Sequence, residues 1–275
     1  MEAINKALEI DPKYAWAYAM RGKICNDTGK YKDALSEVNK AVELGNGESW
    51  VYSNKSYAHT QLSEYEKAME AINRALEISP NDAWSYNQRG VINKNLNELQ
   101  KAIKDFDEAI KADQNYYEAY GNRGQTLLKL GKKAEANSDF QNLIGICKDR
   151  LIKDVTNDRL YFDIAWYSYL MKDYNQSIEA GQKCLSLNPS FTVAHFNLGL
   201  AYMAVGDDDK AVKAYEAGIK SVKGASTFEI NKVFEDAKND IKDLILTKPF
   251  IKKTADNIII LLELSQKKVL DPIKE

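Results

Sequence analysis

Few residues of this chain are arranged for bond-making chemistry. His59 and His195 are its only histidines, and Cys25, Cys147 and Cys184 its only cysteines. None of them stands at zinc-ligand spacing. No glycine-rich phosphate loop and no Ser-His-Asp order is present. The regular spacing belongs instead to residues suited to recognition. Trp16, Trp50 and Trp84 follow one another at intervals of 34 residues. Arg21, Arg89 and Arg123 each stand 16 residues before an acid, Glu37, Asp105 and Asp139. Asn54, Gln88 and Asn122 keep the 34-residue step, and Asn197 joins them after a shift of phase. Tryptophan and arginine dominate protein interfaces. An amide both donates and accepts, matching the N–H and C=O of a peptide main chain.

Composition narrows the classes of function. Lys and Arg number 38 and Asp and Glu 40 in 275 residues. Such a balance speaks against a nucleic-acid binder, which needs a basic excess, and against a polybasic membrane-surface protein. The longest run of Ile, Leu and Val, Ile258 to Leu262, is far shorter than the ~20 residues that a bilayer demands. Met1 to Lys6 carry no signal-peptide apolar region. Three cysteines without close pairing fit a reducing compartment, and a cytoplasmic location is expected. No cofactor and no metal is expected, and the chain reads as a non-enzyme.

The elements that must position the recognition residues follow from self-similarity. Tyr18, Tyr52, Tyr86 and Tyr120 share the step of the tryptophans, as do Ala34, Ala68, Ala102 and Ala136. Gly22, Gly90 and Gly124 mark another shared position, with Ser56 in the gap. After seven extra residues the phase resumes with Tyr161, Ala165, Ser177, Cys184 and Pro189. Six units result: 15–48, 49–82, 83–116, 117–150, 158–191 and 192–225. Each reads as two helices. The first carries an aromatic and a small residue four positions later, on one face. A turn near Gly29, Ser63, Asn97, Gly131 or Gly206 ends it. Pro80 and Pro189 stop the second helix.

These residues resemble the tetratricopeptide repeat family, whose signature is this spacing of aromatic, Gly, Ala and Pro. Asn46 and Gln114 depart from it where Pro is common, and Leu143 where a small residue is usual. The resemblance implies an all-α fold, a right-handed superhelical α-α solenoid of helix pairs with a concave groove. Residues 15–150 hold four units and 158–225 two more. Residues 1–14 read as the second helix of a further, partial repeat, which suggests a piece of a longer protein or an atypical cap. The insertion at 151–157 predicts one long helix from about 134 to 153, with Thr156, Asn157 and Asp158 starting the next. Residues 226–275 break the repeat and read as capping helices, opened by a Ser226–Glu229 capping box. Phe228, Val233, Phe234, Ala237, Ile241 and Leu244 form the stripe of the first, which Lys248-Pro249 ends. The last runs from about 250 to 266, with Ile258, Ile259, Leu261 and Leu262 apolar. They form a cap or, alternatively, a docking surface.

In the resembled fold the first helix of each unit lines the groove, at its second, fifth, sixth, ninth and twelfth positions. The tryptophans hold the second and the amides the sixth. Each either contacts a ligand or serves the stack itself. In the fifth and sixth units Phe162, Trp166, Tyr169, Phe196, Leu200 and Met203 make the groove apolar, and the C-terminal helices are expected to cover them. The clamp by which some relatives hold a chaperone's C-terminal carboxylate is not expected, because only Asn54 matches it. The covariation within the chain of Arg with acid and of Ile164 and Leu198 with Ala180 and Ala214 predicts structural ion pairs Arg21–Glu37, Arg89–Asp105 and Arg123–Asp139. The expected function is a non-enzymatic protein-interaction scaffold holding a partner's peptide in the groove, without nucleic acid or membrane. The alternatives are a recruiting module of a larger protein and a homo-oligomeric scaffold; the sequence leaves the oligomeric state unknown.

Overall fold

The computed structural model describes residues 1–222 and 227–270. Among them are fifteen α-helices and no strand. They are α1 (Glu2–Ile10), α2 (Ala15–Asp27), α3 (Tyr31–Glu43), α4 (Ser49–Gln61), α5 (Tyr65–Ile78), α6 (Ala83–Asn95), α7 (Leu99–Ala112) and α8 (Tyr117–Lys129). There follow α9 (Lys133–Lys153), α10 (Asp158–Leu170), α11 (Tyr174–Leu187), α12 (Thr192–Val205), α13 (Asp208–Ser221), α14 (Thr227–Thr247) and α15 (Lys252–Leu270). A single 3₁₀ turn at Pro249–Ile251 separates the last two. The chain forms two compact units, 1–139 and 140–275, with the boundary inside α9.

In each unit, helices pair in chain order, α2 on α3, α4 on α5 and α6 on α7 in the first, α10 on α11 and α12 on α13 in the second. The first helix of a pair also packs on the first helix of the next, α2 on α4 and α4 on α6. A left-handed residue closes the turn within each pair: Gly29, Ser63, Asn97, Gly131, Lys172 and Gly206, with φ between 60° and 83°. In three of the pairs a glycine, Gly22, Gly90 or Gly199, faces the partner helix and lets it approach closely. A Cβ added to Gly90 would collide with the Phe106 ring. The buried spine of the first unit is accordingly small and apolar, with Ala34, Ala41, Ala68, Ala75, Ala102 and Ala109 fully buried.

The Arg positions form a ladder through the first unit. Arg89 Nη2 donates to Asp105 Oδ1 at 2.7 Å, and Arg123 Nη2 to Asp139 Oδ1 at 2.6 Å. Each guanidinium also reaches the preceding pair: Nη1 of Arg21, Arg89 and Arg123 donates to Asn5, Asn73 and Asp107, respectively. Each lies over a tyrosine of its own helix, Tyr18, Tyr86 or Tyr120, at 5.3 to 5.7 Å. One arginine thus ties two second helices to the first helix between them. The first rung is looser. Arg21 Nη2 approaches Glu37 Oε2 at 2.8 Å, but its Nε has no acceptor among the described residues.

In the second unit the C-terminal helices close the core. Phe196, Leu200 and Met203 of α12 are buried with Ile230, Phe234, Ala237, Ile241 and Leu244 of α14 and with Ile251, Ala255, Ile258 and Leu262. Trp166 and Tyr169 pack against this cluster from the side. Phe162 stacks instead on Phe191, with ring centroids 4.7 Å apart. Lys248 donates to the Ala204 carbonyl and lies 4.5 Å over the Tyr174 ring, which fixes the end of α14. The Ser226 capping box and the Phe228 side chain lie outside the described residues. No helix among the described residues is long and apolar enough to cross a membrane.

Candidate functional site

Trp16, Trp50 and Trp84 are each the second residue of a helix, α2, α4 and α6. Each is held where its helix begins. The Tyr14 ring stacks on Trp16 at 5.9 Å. Glu48 accepts a hydrogen bond from Trp50 Nε1 at 2.6 Å. Asp82 caps α6, accepting from the Ser85 backbone N–H at 3.0 Å, a favourable place for a carboxylate. Ser85 and Ser53 hydroxyls meet at 2.7 Å and join α6 to α4. The three helices therefore present their tryptophans in register.

The three indoles line one open groove of about 680 Å³, together with Met20, Lys23, Asn26, Asp27, Asn54, Tyr57, Asp82 and Gln88. Trp16 is 46% exposed, while Trp50 and Trp84 are half-buried. Tyr57 sits edge-on to Tyr31 at 6.2 Å, and burial pushes its hydroxyl pKa up. Lys23 and Asp27 neutralise each other at 2.9 Å. The groove thus sets four aromatic rings and Met20 beside six polar or charged side chains, apolar surface with polar groups that can orient a ligand.

The amides divide by their partners. Asn54 Nδ2 donates to the Trp50 carbonyl at 2.8 Å, and Asn26 Nδ2 donates to the Asn54 carbonyl at 2.9 Å. Asn122 lies outside the groove lining. Its Nδ2 donates to Asn87 at 3.0 Å, and its Oδ1 accepts from Lys94 Nζ at 3.1 Å. Burial, and secondarily Lys129, lowers the Lys94 ammonium to about 8. The Gln88 amide lines the groove and has no hydrogen-bond partner among the described residues. Asn197 lies in the second unit, on α12, where its neighbours Phe196, Leu198 and Leu200 are buried. The groove therefore brings together Trp16, Trp50, Trp84, Asn54 and Gln88, and leaves Asn122 and Asn197 apart. Sequence reasoning passed over Asp82 and Lys94, although Lys94 holds the twelfth position of its unit.

The histidines and cysteines lie outside the groove lining. His59 is buried against Glu64, 2.6 Å away, and His195 Nε2 lies 2.8 Å from the Pro189 carbonyl. Cys25, Cys147 and Cys184 are buried thiols, and burial raises the Cys184 thiol to about 12.

Comparison with known proteins agrees with this architecture. Family models described as "TPR repeat" match residues 57–97, and models described as "Tetratricopeptide repeat" match 3–36, 85–116, 106–136, 158–191 and 194–221. No curated protein matches the sequence. Among solved structures, the chain is similar to the APC/C hetero-tetramer Cut9-Hcn1, at 15% identity and a TM-score of 0.61. That match covers 93% of this chain and 51% of the other. It is also similar to pilF of Pseudomonas aeruginosa, at 17% identity and a TM-score of 0.55, covering 77% and 93%. YrrB, titled "a TPR protein with an unusual peptide-binding site", matches at 19% identity and a TM-score of 0.44, covering 70% and 95%. The repeating helix pairs, their left-handed turns and the family models spread along the sequence lead to one assignment: this chain belongs to the tetratricopeptide repeat family.

Proposed function

We propose that the chain is a non-enzymatic protein-interaction scaffold whose first unit holds a peptide segment of a partner protein. The observation that carries this reading is the alignment of Trp16, Trp50 and Trp84 along one open groove with Tyr57. Exposed aromatic surface costs free energy in water, and a bound side chain would recover it at ~25 cal/mol per Å². Asn54 and Gln88 would read the peptide main chain. The repeat assignments 15–150 and 158–225, with 1–14 as a partial repeat and 226–275 as the cap, belong to the same reading. The second unit supports it by contrast, because α14 already occupies the apolar face of α12.

Display of random peptides on the intact chain tests the proposal. A Trp16/Trp50/Trp84→Ala variant, checked for an unchanged helical signal, serves as the comparison. Peptides enriched on the native chain and lost on the variant are expected. Equal enrichment on both would move the site away from the groove.

A further inference from the structure

The charges around the groove restrict which side chain it takes. We infer that the first unit's groove binds an arginine side chain of the partner's peptide, laid on the Trp84 indole with the Asp82 carboxylate beside it. This inference rests on the groove being a peptide site.

The chain shows how it seats its own arginines. Arg21, Arg89 and Arg123 each lie over a tyrosine at 5.3 to 5.7 Å, and each reaches an acid. A planar guanidinium suits both partners, because its face stacks on a ring while its N–H fork bonds a carboxylate. The groove holds the same two partners and no arginine of its own. Asp82 and Trp84 stand two residues apart at the start of α6, and both line it. Asp82 gives Oδ2 to the N–H and the hydroxyl of Ser85, while Oδ1 carries no hydrogen bond among the described residues. The partial positive charge of the α6 N-terminus is already met by Asp82. On α4 an acid stands at the same place, since Glu48 precedes Trp50 by two residues and holds its indole N–H at 2.6 Å. One ring is enough for a guanidinium, so no fixed distance between the tryptophans is required.

The sign of the ligand's charge follows. The lining holds two acids, Asp27 and Asp82, and one cation, Lys23, which Asp27 neutralises at 2.9 Å. The faces of the aromatic rings are negative as well. A carboxylate or phosphate would be repelled by Asp82 and by the rings. An aliphatic side chain would cover Asp82 and leave its charge unpaired. Asn26 favours a donor too. It is 3% exposed, its Nδ2 is spent on Asn54, and its Oδ1 has no donor among the described residues. A trimethylated ammonium brings no N–H to such acceptors. Lysine brings three on a strongly hydrated point charge, and arginine five on a plane that also stacks.

The test uses three libraries of displayed peptides, random except for a central arginine, leucine or glutamate, selected on the intact chain. The arginine library is expected to be retained at least about tenfold over the other two. Asp82→Asn keeps the helix cap, which asparagine serves as well as aspartate, and removes the charge. It should cut retention of the arginine library about tenfold and leave the leucine library unchanged. A selected peptide synthesised with citrulline for its arginine keeps the shape, loses the charge and should bind about tenfold weaker. A preference for leucine or glutamate, or an arginine preference that neither Asp82→Asn nor citrulline reduces, overturns the inference. If the preferred peptides are then lost on Trp16/Trp50/Trp84→Ala, the groove stands as a peptide site and only its ligand class falls. Should that variant misfold, the exposed Trp16→Ala replaces it, and the citrulline peptide needs no variant. Retention that survives the tryptophan variants, or no retention of any library, removes both.

Discussion

Asp105 shows how one side chain can hold a junction. It accepts from Arg89 and, through Oδ2, from Asn93 at 2.7 Å, while only 6% exposed. Its removal would leave a half-buried guanidinium and a buried amide unsatisfied. Asp105→Ala is expected to destabilise the chain by about 3 kcal/mol, less where water reaches Arg89, as read by urea unfolding. A loss within about 0.5 kcal/mol would make the pair a surface one. Lys94 carries the opposite kind of charge, a cation without a carboxylate. Its folded-state value of about 8 lies below the ordinary 10.5, so the unfolded chain binds more protons between those values. Stability should therefore rise as pH increases from about 8 toward 10.5, and Lys94→Gln should flatten that rise. Unfolding curves across that window check it. The acid partners of the arginines were legible in the sequence, since they vary together from unit to unit. The second arm, Asn5, Asn73 and Asp107, stands 16 residues before each arginine and was equally periodic. It is harder to read because two of the three are asparagines, which carry no charge to pair, and only Asp107 is an acid.

The turns argue the same way for helices. Gly29, Asn97, Gly131 and Gly206 suit left-handed backbone, so the ends of α2, α6, α8 and α12 were readable. Lys172, at φ 67°, was not, because nothing in a lysine advertises that conformation. A branched or long side chain there costs about 1 kcal/mol relative to glycine. Lys172→Gly is expected to stabilise the chain by up to about 1 kcal/mol, offset in part by the freer unfolded chain. A fall in melting temperature would show that the lysine side chain contributes something the turn needs. The long α9, Lys133–Lys153, was visible because apolar spacing continues through Phe140, Leu143, Ile144, Cys147 and Leu151, all buried. Asn157 accepts from the Leu160 N–H and starts α10, which its residue type and position announced.

The two units of the molecule treat their first helices differently. In the second, α14 and α15 bury Phe196, Leu200 and Met203 under Phe234 and its neighbours. Phe234→Ala should cost about 3–5 kcal/mol and raise the binding of a hydrophobic dye, since it uncovers that surface; unchanged dye binding would mean the cover is held by other contacts. In the first unit the tryptophan groove remains open. Periodicity placed these tryptophans on one face, but it could not say which amides the stack itself would use, because Asn54 turns back to the Trp50 carbonyl of its own helix and Asn122 reaches Asn87 and Lys94 on α6. A partner's peptide docked on Trp16, Trp50 and Trp84 would change the surroundings of all three indoles at once. The most direct measurement follows the indole N–H resonances of the four tryptophans while a peptide selected by display is added to the intact chain. Trp166, in the second unit, is the internal control. Trp16, Trp50 and Trp84 are expected to shift together and saturate while Trp166 stays in place. Binding that moves Trp166 alone, or none of the four, would contradict it.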